Sequence, residues 1–509
     1  MAAKSALIVG SGVAGATIAK GLLARSDVSK VVMFEAGGAF EMRNYRRWID
    51  FVTTGIEPHE PFRDHRADYE TAADVLRLEE SRLFVRGGST IHWGGWALRF
   101  KPEDFALNTA AGKEIDWPFE YDEIEPFYHQ AELSLVIAGD SDNDDPPRKG
   151  KRYPLEAPPY CQADGPLVRA LEAMKISYAH LPIARNANCM TTGTCKYCPV
   201  GGRFSADMIL DELEADKRFE LRLRHPVRRI VFQNKRRAAG VEYLSIATGE
   251  VARAEADIVI VCAGAIETPK LLLASADRRF WPKGAGNDSG HVGRHLKAHQ
   301  LLLASGVLPS NGRRMHQELD FPTLCSRHFD SPAEQRDGKM FFIRSRLPNL
   351  EIESRIIAGR TAKEIDLEAQ GAMTVAVEGF VEPFSSPANA VALAAGTNRF
   401  GLPRTRVSFR QNESEQAKVK KNLSRFEGIL RATGAHPVSS KIFVPRADHA
   451  ASTCRMSRSD SDGVTDPDLN VHGTDNLYLC SNAVMPTVAA VNPTLTLVAL
   501  AHRLVAKLW

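Results

Sequence analysis

Ala6-Leu-Ile-Val9 leads directly into Gly10-Ser-Gly12-Val-Ala-Gly15 and on into Ala16 to Arg25, and this stretch decides the fold. Four consecutive apolar residues are the pattern of a strand buried on both faces of a parallel sheet. In the segment that follows, Ile18, Leu22 and Leu23 share one face, which predicts a helix over 16–25. Val31-Val-Met-Phe34 is a second apolar run, closed by Glu35 at a spacing of twenty from Gly15. Strand, glycine turn, helix, second strand and terminal acid together specify a βαβ unit that binds a dinucleotide. Gly10 permits the turn, Gly12 lets a pyrophosphate approach the backbone, and Gly15 lets helix meet strand. Unpaired N–H groups at the helix N-terminus face the phosphates, and Glu35 accepts hydrogen bonds from ribose hydroxyls. A carboxylate rather than an arginine at position 35 selects FAD or NAD over NADP.

The rest of the chain sets the frame around this unit. Its 509 residues suit two to four domains, and 44% hydrophobic with 25% charged residues is the composition of a soluble globular protein. Sixty-five Lys and Arg against sixty-two Asp and Glu leave a formal charge of +3, which removes a global electrostatic case for nucleic acid. Nine Lys and Arg do gather between Lys217 and Arg237, but they alternate with Leu221, Leu223, Val227, Ile230 and Phe232, as the exposed faces of strands would. The most apolar run, Val484 to Ala501, is interrupted by Pro486, Thr487, Asn492, Pro493 and Thr494, so it is expected to be buried protein interior rather than a membrane span. No charged leader or apolar h-region precedes Ala6, and the eight cysteines are mostly scattered. A reducing cytoplasm is the expected location, with export alongside a partner subunit left open.

Further blocks separate FAD from NAD. Arg86-Gly-Gly-Ser-Thr-Ile-His-Trp-Gly-Gly95 is a second glycine-rich loop, too distant to belong to the first βαβ unit. Asp257-Ile-Val-Ile-Val-Cys-Ala-Gly-Ala-Ile-Glu-Thr-Pro-Lys270 reads as another buried strand entering a glycine turn and a helix. Trp117-Pro-Phe-Glu-Tyr-Asp-Glu-Ile-Glu-Pro-Phe-Tyr128 stands between them, and near the end come His449-Ala-Ala-Ser-Thr-Cys-Arg-Met456, Gly463-Val-Thr-Asp466, Val471-His-Gly-Thr-Asp-Asn-Leu-Tyr478 and Asn492-Pro-Thr-Leu-Thr496. In this order, over nearly the whole length, these blocks resemble the glucose–methanol–choline (GMC) oxidoreductases, a family of FAD-dependent alcohol-oxidising enzymes.

The resemblance implies an α/β fold: a Rossmann-like FAD-binding domain assembled from residues 1–98, 200–297 and 441–509, with an α+β substrate-binding domain on a mainly antiparallel sheet from 99–199 and 298–440. It implies that Arg86, Gly87, Gly88, Thr90, His92, Val227, Ala263, Gly264, Pro493 and Thr494 join Gly10, Gly12, Gly15 and Glu35 around FAD. His449 stands where the family has its catalytic histidine, and imidazole suits a proton acceptor because its ordinary pKa of ~6.5 lies near working pH. Asn492 stands at the partner position, where a carboxamide cannot titrate but can hold a substrate oxygen. Gly87-Gly-Ser-Thr-Ile-His92 is similar to a loop of pyranose and choline oxidases whose histidine is bonded to the flavin, so a covalent link and a plain contact both stand open for His92. Ser481 occupies a place that is acidic in many members, which turns the resemblance toward the sugar-oxidising branches: pyranose oxidases, glycoside 3-oxidases and glycoside 3-dehydrogenases. The expected substrate is therefore a sugar or glycoside, with electrons leaving to O₂ or an external acceptor. Hydroxynitrile lyases share the fold without redox turnover and stand as the alternative.

One thiol cluster, Cys189-Met-Thr-Thr-Gly-Thr-Cys195-Lys-Tyr-Cys198-Pro199, is similar to loops holding iron–sulfur clusters in some sugar and gluconate dehydrogenases, though with one residue fewer between the last two cysteines. A cluster there would make the chain the flavoprotein subunit of a dehydrogenase complex. The altered spacing favours reduced, partly buried thiols instead, and the local sequence offers no fourth ligand for zinc.

Overall fold

The computed structural model describes residues 4–54, 68–71, 75–78, 81–161, 164–189, 198–309, 322–335, 337–344, 359 and 372–508. The first βαβ unit forms as its pattern requires: strand β1 (Lys4–Val9), helix α1 (Val13–Leu23) and strand β2 (Val28–Phe34). The helix begins at Val13 rather than Ala16. Gly12 is extended (φ −67°, ψ −178°) and is the N-cap, so winding starts one residue after it. It also stops short of Arg25, whose guanidinium turns to Asp27 (3.0 Å).

Five strands form a parallel sheet in the order Leu477–Leu479, Ile258–Val261, β1, β2, Phe219–Arg222. Ile258 to Val261 are all buried, which is why that strand reads as an unbroken apolar run. It leads into α2 (Gly264–Ala274). Val9 lies opposite Val261 and Val261 opposite Leu479, so three strands end level. The turns after them, at Gly10, Ala263 and Ser481, therefore gather at the carboxyl edge, where open α/β sheets bind ligands.

The second large sheet is antiparallel with six strands, built around β3 (Gln300–Pro309) and β4 (Ala372–Val381). Register decides its two faces. Leu301 pairs with Phe380 and Leu303 with Glu378 on the face toward the main cavity. One residue along, Leu302, Ala304 and Val377 point the other way and are buried with Phe426, Ile429 and Leu430 of α3 (Glu413–Ala432). That helix starts with a capping box: the Asn412 side chain accepts from Glu415 N–H and the Glu415 carboxylate from Asn412 N–H, both at 2.9 Å.

The run Val484–Ala501 is protein interior. Val484, Met485, Val488, Val491, Leu495, Val498 and Leu500 are fully buried, each contributing about 1.5–3 kcal/mol of burial free energy. Its second half is α4 (Thr494–Lys507), which packs on α1 and on the helix Tyr121–Ser134, tied by Tyr128 Oη to Thr496 Oγ1 (2.7 Å). Among the described residues, no helix is long and apolar enough to cross a membrane.

The basic stretch 217–237 meets the expectation of solvated charge in part: Lys217, Arg224, Lys235, Arg236 and Arg237 are exposed, whereas Arg218, Arg222, Arg228 and Arg229 are half-buried. Strands form at Phe219–Arg222 and Val227–Phe232, but most of their side chains are half-buried. Arg218 pairs with Asp216 (2.7 Å), Arg222 with Glu220 (2.7 Å) and Arg229 with Glu242 (3.0 Å), while Arg228 lines the main cavity. Neighbouring acids pair with three of the four half-buried arginines.

Candidate active site

A cavity of about 680 Å³ opens at the carboxyl edge of the parallel sheet and runs to the cavity face of the antiparallel one. This is the size of a small-molecule or cofactor site. Its first half is made of backbone. Gly10 takes φ +106° and sits so close to the Cys262 carbonyl that a Cβ would lie 2.6 Å from its oxygen. A Cβ on Gly15 would lie 2.1 Å from the Gly10 oxygen, and one on Gly88 would lie 2.9 Å from the Gly12 Cα, so the two glycine loops are packed on each other. Gly12 and Gly264 differ: a Cβ on either would meet nothing within 4 Å. Both line the cavity, and Gly12 caps α1 without any side-chain bond to the first-turn N–H groups. Bare backbone at a helix N-terminus, facing open space, is a cradle for phosphate.

Glu35 stands on the same wall, its carboxylate accepting from Ser11 N–H (3.1 Å), Ser11 Oγ (2.8 Å) and Gly37 N–H (2.9 Å). Burial raises its pKa despite these bonds. Hydroxyl donors from the cavity would complete its coordination. Val227, Ala263, Thr494, Gly88 and Thr90 also line the space. Among the predicted cofactor positions, Gly15, Arg86, Gly87 and Pro493 do not reach its wall. Arg86 instead turns to Asp211 (2.8 Å) and Glu214 (3.1 Å), and Pro493 is the N-cap of α4.

The loop that carries His92 is held by a cation. Arg203, buried, donates to the carbonyl oxygens of Thr90 (3.0 Å), Ile91 (2.6 Å) and Trp93 (2.5 Å). His92 lines the cavity, and burial, with Arg203 and Arg446 nearby, pushes its pKa down to about 3, so the ring is neutral at ordinary pH.

The other half of the cavity brings together residues far apart in the chain. His449 closes the short turn Ala447–His449, and its Nε2 is 3.1 Å from Asn492 Nδ2, just before α4. Its Nδ1 is 2.9 Å from Nδ1 of His299, which immediately precedes β3, and His299 Nε2 is 3.0 Å from the Ala489 carbonyl oxygen. The Phe380 ring packs against both imidazoles, with centroids 4.9 Å from His449 and 5.4 Å from His299. Burial, His299 and Arg446 hold the His449 pKa well below the ordinary histidine range. Asn492 Oδ1 and Asn482 Oδ1 are buried without a hydrogen-bond partner among the described residues, and both side chains line the cavity. Orphaned acceptors on such a wall fit a bound group that supplies donors. Sequence reasoning did not find His299, Phe380, Arg203 or Arg446. Arg446 sits three residues before His449 in no motif, and nothing in Lys297-Ala-His-Gln300 marks its histidine.

Of the thiol cluster, Cys195 lies outside the described residues. Cys189 Sγ accepts from the Arg185 guanidinium (3.1 Å) and Cys198 Sγ from the Arg203 N–H (3.4 Å). Among the described residues, no three His, Cys, Asp or Glu side chains are grouped to hold a metal ion.

Family-wide sequence profiles described as GMC oxidoreductase match residues 5–301 and 383–501. The chain is 23% identical to the fructose dehydrogenase large subunit of Gluconobacter japonicus over 98% of this chain and 96% of that one. It is 28% identical to the 2-methyl-1,2-propanediol dehydrogenase of Mycolicibacterium austroafricanum over 82% and 79%. Among solved structures, pyridoxine 4-oxidase from Mesorbium loti superposes with a TM-score of 0.66 at 18% identity, covering 99% of both chains, which is a likeness of fold.

Proposed function

The chain belongs to the GMC oxidoreductase family, and we propose that it oxidises a secondary alcohol of a sugar or glycoside to the ketone, with His449 as the proton acceptor and FAD as its cofactor. One observation carries the reading: an imidazole and a carboxamide meet at 3.1 Å at the cavity wall, in the same space that bare glycine backbone enters from the sheet edge. Gly12, Gly264 and Glu35 would hold the cofactor's pyrophosphate and ribose, and His92 and Thr90 the region beyond. Bound there, the flavin would supply the acceptor for the hydride leaving the carbinol carbon.

The chain's own residues do the rest. His449 Nε2 takes the hydroxyl proton and keeps it as imidazolium while the carbonyl forms, a role worth ~10²–10⁴-fold. Asn492 donates from Nδ2 to the substrate oxygen and holds it against the base. Trp93, Trp96 and Phe380 offer aromatic faces to the C–H side of a sugar ring, while Arg185, Glu378 and Arg446 offer hydrogen bonds to its hydroxyls. Before the flavin binds, the His92 ring that would meet it is uncharged at working pH. The name of the Gluconobacter relative supports a sugar, and the family as a whole supports a CH–OH donor.

The test is an anaerobic screen of D-fructose, D-glucose, methyl β-D-glucoside and 1,2-propanediol against the yellow holoprotein. Bleaching by a sugar is expected. Bleaching by the diol alone would refute the sugar, and a flavin that no alcohol reduces, as in a lyase, would refute the oxidation. Recolouring on admission of air separates an oxidase from a dehydrogenase.

A further inference from the structure

We propose that His299 is a positioning residue that fixes the tautomer of His449, keeping the proton on Nδ1 and the bare lone pair of Nε2 toward the cavity. The proposal rests on the reading of His449 as base and adds how that base is kept ready. The two imidazoles face each other through the same kind of atom, Nδ1 to Nδ1 at 2.9 Å. Two lone pairs would repel at that distance and two N–H groups would collide, so one proton lies between them.

The neighbours decide which ring owns it. His299 Nε2 is 3.0 Å from the Ala489 carbonyl oxygen, which can only accept, so Nε2 carries a hydrogen. His299 is buried, and burial lowers its pKa to about 4, so at neutral pH it has one proton only and its Nδ1 is bare. The shared proton therefore sits on His449 Nδ1. Neutral His449 then has no hydrogen on Nε2, whose lone pair accepts from Asn492 Nδ2 at 3.1 Å until a substrate hydroxyl takes that place. The chain of donors runs one way: Asn492 to His449, His449 to His299, His299 to the Ala489 carbonyl. The opposite tautomer would aim a lone pair of His299 at the Ala489 oxygen and an N–H of His449 at the Asn492 amide. Phe380, packed on both rings, holds their relative orientation.

Three substitutions separate this role from packing. His299→Asn keeps an acceptor near the place of Nδ1 and gives up the bond to Ala489. His299→Gln keeps a donor near the place of Nε2 and gives up the acceptor. His299→Leu gives up both. The holoenzymes are compared by anaerobic stopped-flow with the sugar that bleaches the flavin in the screen above, alongside His449→Gln. The expected result is a limiting flavin-reduction rate within threefold of the parent for Asn and a loss of at least ~10-fold for Gln and Leu, with substrate Kd within threefold in all. The wrong imidazole tautomer costs ~10⁴-fold in hydrolase triads, which sets the ceiling. If all three variants stay within threefold while His449→Gln loses ~10²-fold or more, the proposal fails and the base stands. If Asn is as slow as Gln, the proposal fails as well. A His449→Gln protein of near-normal rate removes base and relay together. Independent of any variant at 299, ¹⁵N two-bond correlation spectra of histidine-labelled holoenzyme at neutral pH should show an Nδ1-protonated ring that is lost in His449→Gln, distinct from that of His225, whose Nδ1 lies 2.7 Å from the Leu223 carbonyl oxygen and which persists in that variant. An Nδ1-protonated pattern that is the same in the parent and in His449→Gln would overturn the proposal.

Discussion

Alanine placed in turn at Gly12 and Gly15 separates a glycine that serves a ligand from one that serves the fold. At Gly15 the added Cβ would lie 2.1 Å from the Gly10 oxygen and 3.3 Å from Ile8, so backbone must move where helix meets strand. Overpacking of that kind costs ~1–3 kcal/mol or more, and at ~2 °C per kcal/mol or less for a long chain the apoprotein should lose a few degrees of Tm. At Gly12 the Cβ meets nothing within 4 Å, and φ −67° with extended ψ suits alanine. Loss of a favourable N-cap residue and gain of a stiffer unfolded chain oppose each other at ~0.5–1 kcal/mol, leaving apoprotein Tm within about 1 °C of the parent. The methyl group instead occupies the space a pyrophosphate needs. Each hydrogen bond to a charged group is worth ~1.5–3 kcal/mol, so losing one or two should weaken FAD binding by ~10–10⁴-fold. The assay is differential scanning fluorimetry of the apoproteins followed by FAD titration read as flavin fluorescence quenching. A Gly12→Ala protein that binds FAD like the parent, or a Gly15→Ala apoprotein of unchanged Tm, would refute the reasoning.

His449→Ala should retain FAD, read by its visible spectrum, while anaerobic flavin reduction falls at least ~10²-fold. Because burial, His299 and Arg446 depress the His449 pKa, the base stays neutral as pH falls below 6.5 and is lost only on protonation further down; the acid limb of kcat/KM should therefore lie below pH 6.5, and a limb at or above it would contradict the site. The charged group acting on this ring is Arg446, ion-paired to Asp448 at 2.6 Å. Asn492→Asp puts a carboxylate next to Nε2 and should move the same limb to higher pH, since a nearby anion favours imidazolium. Lys297 and Glu114 form a buried ion pair at 2.9 Å, with the lysine also donating to the Pro486 carbonyl (2.5 Å), so Lys297→Met should cost ~3–5 kcal/mol in urea unfolding while the double change with Glu114→Leu costs less. Lysine and burial act oppositely on Glu114, and its pKa is lowered on balance; its stabilisation is present at neutral pH and fades as pH falls through that depressed value.

Local pattern was enough for the nucleotide end of the molecule. Gly10 acts through its positive φ, Gly12 through its bare N-cap backbone and Gly15 through its packing on the Gly10 oxygen, so an apolar run with glycines at fixed spacing already states where the strand stops and what approaches it. The buried character of 484–501 was legible for the same reason, since apolar residues interrupted by Pro486 and Pro493 suit no lipid-facing helix. His449 and Asn492 were nameable because they sit in motifs, but their 3.1 Å approach comes from α4 packing on α1 and fixing where the chain enters that helix. His299 shows the limit. It carries no motif and reaches the site only because the register of β3 on β4 sets Leu301 against Phe380 and leaves the residue before the strand beside His449. Arg86, inside a motif, turned to Asp211 and Glu214 for a similar reason: a long cation settles on whichever acids the fold brings near. Backbone requirements repeat along a chain and can be read from it. Side-chain partners drawn from distant segments exist only once the sheets have paired, and the proton path at this site is made of such partners.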